Sequence, residues 1–288
     1  GGSMESQLKI DALVPAEMAY RAEYVGAAKA EMPAPSMFAL AVLAGAFIAL
    51  GAVFSTVAAS GEGLPYGVGR LLSGLAFCLG LILVVVAGAE LFTGNNLIVM
   101  AWAAGRVSTR GLLRNWIIVY IGNLVGALGT VVLVFWSGQY RFGPAGGEVG
   151  RTALKIAAAK CNLDFGQAIA LGIMSNALVC LAVWLTFSAR STIDKIAAII
   201  FPISAFVAAG FEHSVANMYF IARGLVIQEF DASWVAAHAA DLDLSGLTVR
   251  GFLIDNLLPV TIGNIIGGAV LVALVYWFVY LRPRGQGG

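Results

Sequence analysis

Two short patterns each occur twice in this chain of 288 residues, and every copy lies inside a long apolar run. The first is Gly-x-Glu-x4-Asn: Gly88, Glu90 and Asn95, then Gly210, Glu212 and Asn217. The second is Gly-Asn-aliphatic-aliphatic-Gly, at Gly122–Gly126 and again at Gly263–Gly267, with Asn123 and Asn264 in second place. Apolar runs fall at roughly 36–59, 66–104, 111–137, 165–189, 194–222 and 249–281. A bilayer needs about 20 apolar residues per helical span, so these runs read as six spans. The first pattern interrupts the middle run of each half, and the second sits in the third run. The chain therefore reads as two copies of a three-span unit, residues 34–137 and 165–282, joined by an extracytoplasmic connection at 138–164. Three is odd, so the second copy must enter the membrane with opposite polarity. The copies are then related by a pseudo-two-fold axis in the membrane plane.

The expected fold is an all-α membrane protein of six transmembrane helices, arranged as two inverted three-helix repeats with broken second and fifth helices. Composition agrees. Charged residues are 11% of the chain and hydrophobic ones 60%, whereas a soluble domain carries about 25% charged residues. A net charge of +1 gives no argument for a nucleic-acid partner. Cys78, Cys161 and Cys180 show neither metal-ligand nor CxxC spacing and read as small buried hydrophobes. No metal and no cofactor is expected.

The polar, proline-interrupted N-terminus carries no signal-peptide pattern, and Gly1-Gly2-Ser3 before Met4 reads as a cloning remnant. Residues 1–33 thus hold that remnant and an N-terminal cytoplasmic segment. Within 5–31, Val14, Met18, Ala22 and Val25 recur at helical spacing among charged residues. This predicts an amphipathic surface helix, either an interfacial anchor or a lid over a pore mouth. Residues 283–288 are a tail. With both termini inside, the cytoplasmic side holds ten basic residues: Lys9, Arg21, Lys29, Arg106, Arg110, Arg114, Arg190, Lys195, Arg282 and Arg284. The opposite side holds seven, namely Arg70, Arg141, Arg151, Lys155, Lys160, Arg223 and Arg250. That bias puts the termini in the cytoplasm.

Two broken helices should meet near the midplane from opposite sides. Irregular backbone at that depth survives only when buried in protein or lining a cavity, and that cavity is the expected solute path. Half-helices starting after the breaks would point N–H groups and positive dipole ends inward, favouring an anion. Glu90 and Glu212 lie in the breaks. Each either touches the solute or accepts hydrogen bonds from loose N–H groups and nearby amides, pinning its loop. Asn95, Asn176, Asn217, Asn123 and Asn264 are suitable amide partners. His213 adjoins Glu212 and can exchange a proton near neutral pH; otherwise it is a satisfied core group. His238 falls in a polar loop. Thr93 offers a hydroxyl in the first break. Phe77, Leu81, Phe92, Val179 and Phe206 either form apolar constrictions or simply pack. Lys160, in the outer loop before the fourth run, either draws anions or is a solvated surface charge.

At AGAELFTGN, NWIIVYIGNLVGALG, GFEHSVANM and DNLLPVTIGNIIGG the sequence resembles the formate/nitrite transporter family, over nearly all of Leu13 to Leu281. It is most similar to the bacterial formate channels of that family. The resemblance implies an aquaporin-like protomer with its own pore, in a homopentamer of the bacterial inner membrane. It implies that formate or a similar small anion passes, with protons, and that His213 is the central pore histidine opposite Thr93. It implies that Glu212, Asn176, Asn217 and Asn264 hold the histidine loop. It places Phe77 and Phe206 at an outer constriction, and Leu81, Phe92 and Val179 at an inner one. Lys160 would recruit anions, and residues 5–31 would block the pore at low pH. A formate ion crossing an apolar ring costs several kcal/mol in desolvation, and the neutral acid much less, so a proton-linked passage is expected. Nitrite and hydrosulfide are the rival substrates within the family. An aquaporin-like neutral-solute channel is the rival outside it, though neither break carries Asn-Pro-Ala. An intramembrane hydrolase would need a nucleophile near His213. Ser214 is adjacent, but no GxSxG or HExxH motif exists.

Overall fold

Each middle span ends where the backbone must turn left-handed. Gly88 has φ +90° and Gly210 φ +78°, a region L side chains rarely enter, which is why glycine opens both copies of the first pattern. The computed structural model describes residues 12–61 and 63–283. Lys9, Arg284 and residues 5–11 of the expected amphipathic segment lie outside them.

A surface helix α1 (Pro15–Glu31) leads into α2 (Ala34–Ala59) and α3 (Tyr66–Gly88). After the first break a 3-10 turn (Gly94–Ile98) runs into the short α4 (Val99–Ala103). Then come α5 (Thr109–Trp136), α6 (Glu148–Cys161), α7 (Phe165–Thr186) and α8 (Thr192–Ala209). The second break precedes α9 (Ser214–Phe230), followed by α10 (Ala232–His238) and α11 (Gly251–Leu281). Among the described residues six helices are long and apolar enough to cross a membrane: α2, α3, α5, α7, α8 and α11. Leu133, Trp136, Phe201 and Phe278 are among the large apolar side chains left exposed, as expected where lipid rather than water is the solvent.

The buried face of α1 is Met18, Ala19, Ala22, Gly26 and Ala30, set against Ile98 and Ala101. Val14, expected on that face, is exposed. The stripe is set by small residues that fit under α4, a packing contact that hydropathy spacing alone does not register. The 138–164 stretch also departs from expectation. It contains α6, which buries Val149, Ala153, Leu154 and Ala157, so Lys160 sits on a helix rather than in a loop. His238 likewise ends α10, stacked on Trp234. Arg223, counted above with the outer basic residues, is buried on α9. Outside the membrane, Asp231 accepts from the Tyr140 hydroxyl at 2.5 Å and from Arg141 at 2.6 Å. These two donors hold its carboxyl well below the usual carboxylate range.

The helices cross by close backbone approach. A Cβ on Gly45 would overlap the carbonyl oxygen of Asn123, and one on Gly126 the carbonyl oxygen of Val42. Without water to drive apolar burial, such small-residue contacts supply much of the packing between spans. Gly45→Val should force α2 off α5, with a typical overpacking cost of about 1–3 kcal/mol or more. Size-exclusion chromatography in detergent should show a loss of monodisperse protein; a wild-type profile and melting temperature would contradict this account of the crossing.

Candidate pore site

The two breaks are fastened by the same bonds. Asn123 Nδ2 donates to Ala41 O at 2.7 Å and to Glu90 O at 2.9 Å, and its Oδ1 accepts from Phe92 N at 2.9 Å. Asn264 Nδ2 donates to Gly172 O at 2.9 Å and to Glu212 O at 3.0 Å, and its Oδ1 accepts from Ser214 N at 2.9 Å. Glu90 N donates to Leu40 O, as Glu212 N does to Leu171 O. One asparagine on the third span of each half thus satisfies backbone groups that a broken helix leaves without partners.

The carboxylates are held by side chains rather than by loose backbone N–H groups. Glu90 accepts from Asn95 at 2.7 Å and pairs with Lys29 at 2.6 Å. Glu212 accepts from Asn217 at 2.5 Å and from Asn256 at 3.3 Å, and pairs with Lys160 at 2.7 Å. A second asparagine completes each set. Asn95 donates to Asn115 and Asn217 to Asn256, while Asn115 donates to Lys29 O and Asn256 to Lys160 O. Lys29 on α1 is therefore the counterpart of Lys160 on α6. Across the two halves, the corresponding residues Tyr120 and Thr261 bond each other at 2.9 Å. Sequence reasoning missed Lys29, Asn115 and Asn256. The signal was present as Asn-x7-Asn, Asn115 to Asn123 and Asn256 to Asn264.

The helix tips are not bare. Ala216 N donates to His213 Nδ1 at 3.0 Å, and Ser214 N is taken by Asn264. Phe92 N is taken by Asn123, and the first half-helix begins as a 3-10 turn. Of the N–H groups expected to be free, those of Phe92, Ser214 and Ala216 are occupied by side-chain caps, because uncapped donors buried at this depth would be costly. What faces the centre is a hydrogen bond between the tips, His213 Nε2 to Thr93 Oγ1 at 2.9 Å, with both side chains buried. Because Nδ1 accepts the Ala216 N–H, the neutral ring carries its proton on Nε2, on the Thr93 side. A doubly protonated ring would set N–H against N–H and break the cap. Both ring nitrogens are engaged, and neither by Ser214, so the Ser214–His213 contact that the hydrolase reading needs is not formed, and Nε2, carrying its proton, is no base toward Thr93.

Two cavities flank this contact. One, on the α1 side, has a volume of about 460 Å³ and is lined by Val25, Lys29, Leu81, Glu90, Leu91, Gly94, Asn95 and Val183 among others. The other, on the α6 side, is about 110 Å³ and is lined by Arg70, Phe77, Lys160, Phe206, His213, Asn217 and Phe220 among others. Leu81 and Phe77 border opposite cavities and lie one turn apart on α3, roughly 6 Å along the axis. The barrier is thin and apolar. On the α6 side the Phe77 and Phe206 rings meet edge to face at 5.6 Å, and Phe206 stacks on His213 at 5.7 Å.

Phe92 and Val179 line neither cavity. Phe92 packs edge-on against Tyr120 and Trp116, because the turn that sends Leu91 toward the cavity sends its neighbour toward α5. Leu91 and Val183, their neighbours in the break and on α7, line the α1-side cavity. Asn176 does not hold the histidine loop. Its amide donates to Thr93 O at 3.2 Å, Asn96 Oδ1 at 2.9 Å and Asn264 O at 2.7 Å, so it holds the threonine loop to α11. Each cavity carries cations: Lys29, paired with Glu90, in one; Lys160, paired with Glu212, and Arg70 in the other. Arg70 donates to Ala208 O at 3.0 Å and to Val207 O.

Residues 16–278 match the family described as formate/nitrite transporter. The formate channel FocA of Escherichia coli (strain K12) is 48% identical over 98% of this chain and 99% of its own length. The probable formate transporter of Methanothermobacter thermautotrophicus is 40% identical over 93% of this chain and 97% of its own. A solved structure of a pentameric formate channel with formate bound superposes with a TM-score of 0.79 at 45% identity, covering 86% of this chain and 98% of that one. An FNT family ion channel superposes with a TM-score of 0.77 at 29% identity, covering 91% of this chain and 98% of that one.

Proposed function

The chain belongs to the formate/nitrite transporter family, and from that premise we propose that it forms a formate-conducting pore, one per protomer of a homopentamer, in a bacterial inner membrane. The observation that carries the reading is the His213–Thr93 bond, set between two cavities that both hold cations. An anion entering either cavity meets lysine or arginine first and then an apolar barrier about one helical turn thick. At the barrier the donors within reach are His213 Nε2–H and the Thr93 hydroxyl. Formate replaces Thr93 as the acceptor of the Nε2–H, draws a proton from water in the cavity it enters and returns it to water in the other, so it crosses as neutral formic acid, which avoids most of the desolvation cost of the ion, while the ring stays neutral. Phe77 and Phe206 form the constriction on one side, Leu81 and Leu91 that on the other. Val179 and Phe92 support the barrier from behind. Lys160 and its counterpart Lys29 keep their cavities attractive to anions while anchored by Glu212 and Glu90.

The repeat unit supported by the matching bonds is an amphipathic helix followed by three spans, residues 15–136 and 148–281, and so takes in more than the three spans of 34–137 and 165–282. It includes the amphipathic helix preceding each half. On this reading α1 is part of the pore wall, and its Lys29–Glu90 pair ties it to the first break. The α1 side is cytoplasmic, because Arg21, Arg106, Arg114, Arg190 and Lys195 gather there on short connections.

A substrate panel in proteoliposomes tests the reading. With formate, nitrite, acetate, lactate and hydrosulfide supplied at equal gradients, formate should cross fastest and carry protons measurable with an internal dye. Faster nitrite or hydrosulfide flux would move the chain to another branch of the family. Water permeability far above formate flux would revive the neutral-solute reading.

A further inference from the structure

A cavity outside the pore lies on the α1 side, between α1 and the turn joining α7 to α8. It has a volume of about 540 Å³ and is lined by Arg21, Ser188, Arg190, Ser191, Thr192 and Lys195 among others. Three of these side chains are cationic and none is acidic. Asp194, the residue before Lys195, turns its carboxylate to the backbone N–H groups of Arg190 and Ser191, at 3.1 and 3.0 Å. Arg21 uses one N–H on Phe187 O at 3.3 Å, and among the described residues Lys195 makes no ion pair. Arg21 and Lys195 thus bring positive charge to the cavity, and donors from α1 and from the 188–195 segment converge on it.

Its depth in the membrane follows from the spans. Span α7 ends at Thr186 and span α8 begins at Thr192, so the intervening turn lies at the boundary between hydrocarbon and water. Lipid phosphates occupy that layer. From the same turn α8 descends with Ile193, Ala197 and Phe201 exposed on one face. Ile193 is 72% and Phe201 82% exposed. With Ala197 between them, these side chains make an apolar strip along α8 that starts beside the cationic cavity. A cavity that needs an anion thus opens onto a strip that needs hydrocarbon.

We infer that this cavity binds the phosphate of an anionic phospholipid, with an acyl chain lying along the Ile193–Ala197–Phe201 face of α8. Arg21 and Lys195 contact the phosphate directly. Ser191 and Thr192 add hydroxyls. The bound lipid ties α1 to the α7–α8 turn, two elements otherwise joined by the Arg21–Phe187 bond. The inference does not depend on which anion the pore carries.

The test is native mass spectrometry of the detergent-solubilised protein titrated with phosphatidylglycerol or with phosphatidylcholine of the same chains. Phosphatidylglycerol should bind in clear preference. Combining Arg21→Gln with Lys195→Gln should weaken its binding by about twentyfold, since a basic side chain near an anionic lipid surface is worth about fivefold; phosphatidylcholine binding should not change. The charge-preserving pair Arg21→Lys and Lys195→Arg should keep the preference, which separates loss of charge from loss of fold. Equal binding of the two lipids, or unchanged phosphatidylglycerol binding in the glutamine variant, would overturn the proposal. So would binding of glycerol 3-phosphate as tight as that of the lipid, because the site would then be one for a soluble phosphate.

Discussion

Replacing His213 with Phe should cut formate flux through proteoliposomes by one to two orders of magnitude and flatten its dependence on pH. The ring would still fill the space beside Phe206, so the apolar barrier would remain. What disappears is Nε2–H, the donor between the tips. Leaving a buried polar group without its partner costs about 1–3 kcal/mol, which is roughly fivefold to more than a hundredfold in rate. A second effect must be separated from the first. His213 Nδ1 caps α9 through Ala216 N, and losing a cap costs about 1 kcal/mol of stability. Asn at this position restores a capping side chain without restoring the imidazole. His213→Asn should therefore melt close to wild type yet still lack the pH response. If either variant carries formate with the wild-type rate and pH profile, the proton-linked reading is wrong. If His213→Phe fails but His213→Asn behaves as wild type in both respects, the histidine serves only as a cap.

Much of the architecture was legible because breaks in a membrane helix need specific chemistry. Glycine at positive φ, a carboxylate two residues on and an asparagine five residues beyond that form a readable word, and it appears twice. The third-span asparagines were legible for the same reason, since backbone left open by a break needs a partner. What stayed hidden falls into three kinds. The first is partner choice. Lys29 and Lys160 are both isolated lysines on short amphipathic helices, and only the folded chain brings each to a glutamate. The second is the direction of neighbouring side chains in a non-helical turn. Leu91 and Phe92 are equally apolar, and whether one or the other lines the cavity depends on local backbone angles that no periodicity encodes. The third is where the halves differ. Gly45 lets α2 touch α5, whereas its counterpart Asn176 on α7 reaches the threonine loop. The inverted relation of the halves predicts shared scaffold, and function is added at positions that break the equivalence. His213 is such a position, because its counterpart in the first break is Leu91.

That division between shared scaffold and added chemistry makes a quantitative claim about the asparagine pair. Asn264→Leu keeps the side-chain size but strands Ser214 N and Glu212 O, where Asn264 is 0% exposed, and takes a second donor from Gly172 O, which keeps its bond within α7. Side-chain hydrogen bonds in membrane proteins average about 0.6 kcal/mol in double-mutant cycles, because unfolded helices in lipid find other partners. The groups here have no such alternative within the folded chain, so the cost per group belongs nearer the 1–3 kcal/mol of an unsatisfied buried partner. Two groups then amount to about 2–6 kcal/mol, or a fall on the order of 10 °C in melting temperature at 2–4 °C per kcal/mol. Asn123→Leu strands the equivalent two groups, Phe92 N and Glu90 O, and takes the second donor from Ala41 O. The two variants should lose comparable stability in detergent. Their effects on transport should differ in kind. Asn264→Leu frees the tip that carries His213 and should abolish the pH response along with flux. In Asn123→Leu the histidine stays capped and the Thr93 loop is still held through Asn176, so residual flux should keep its pH dependence. A large stability loss in one variant with none in the other would contradict the equivalence of the two fastenings. Identical transport defects in both would mean that the tips act as one rigid body rather than as a fixed loop opposite the one that carries the imidazole.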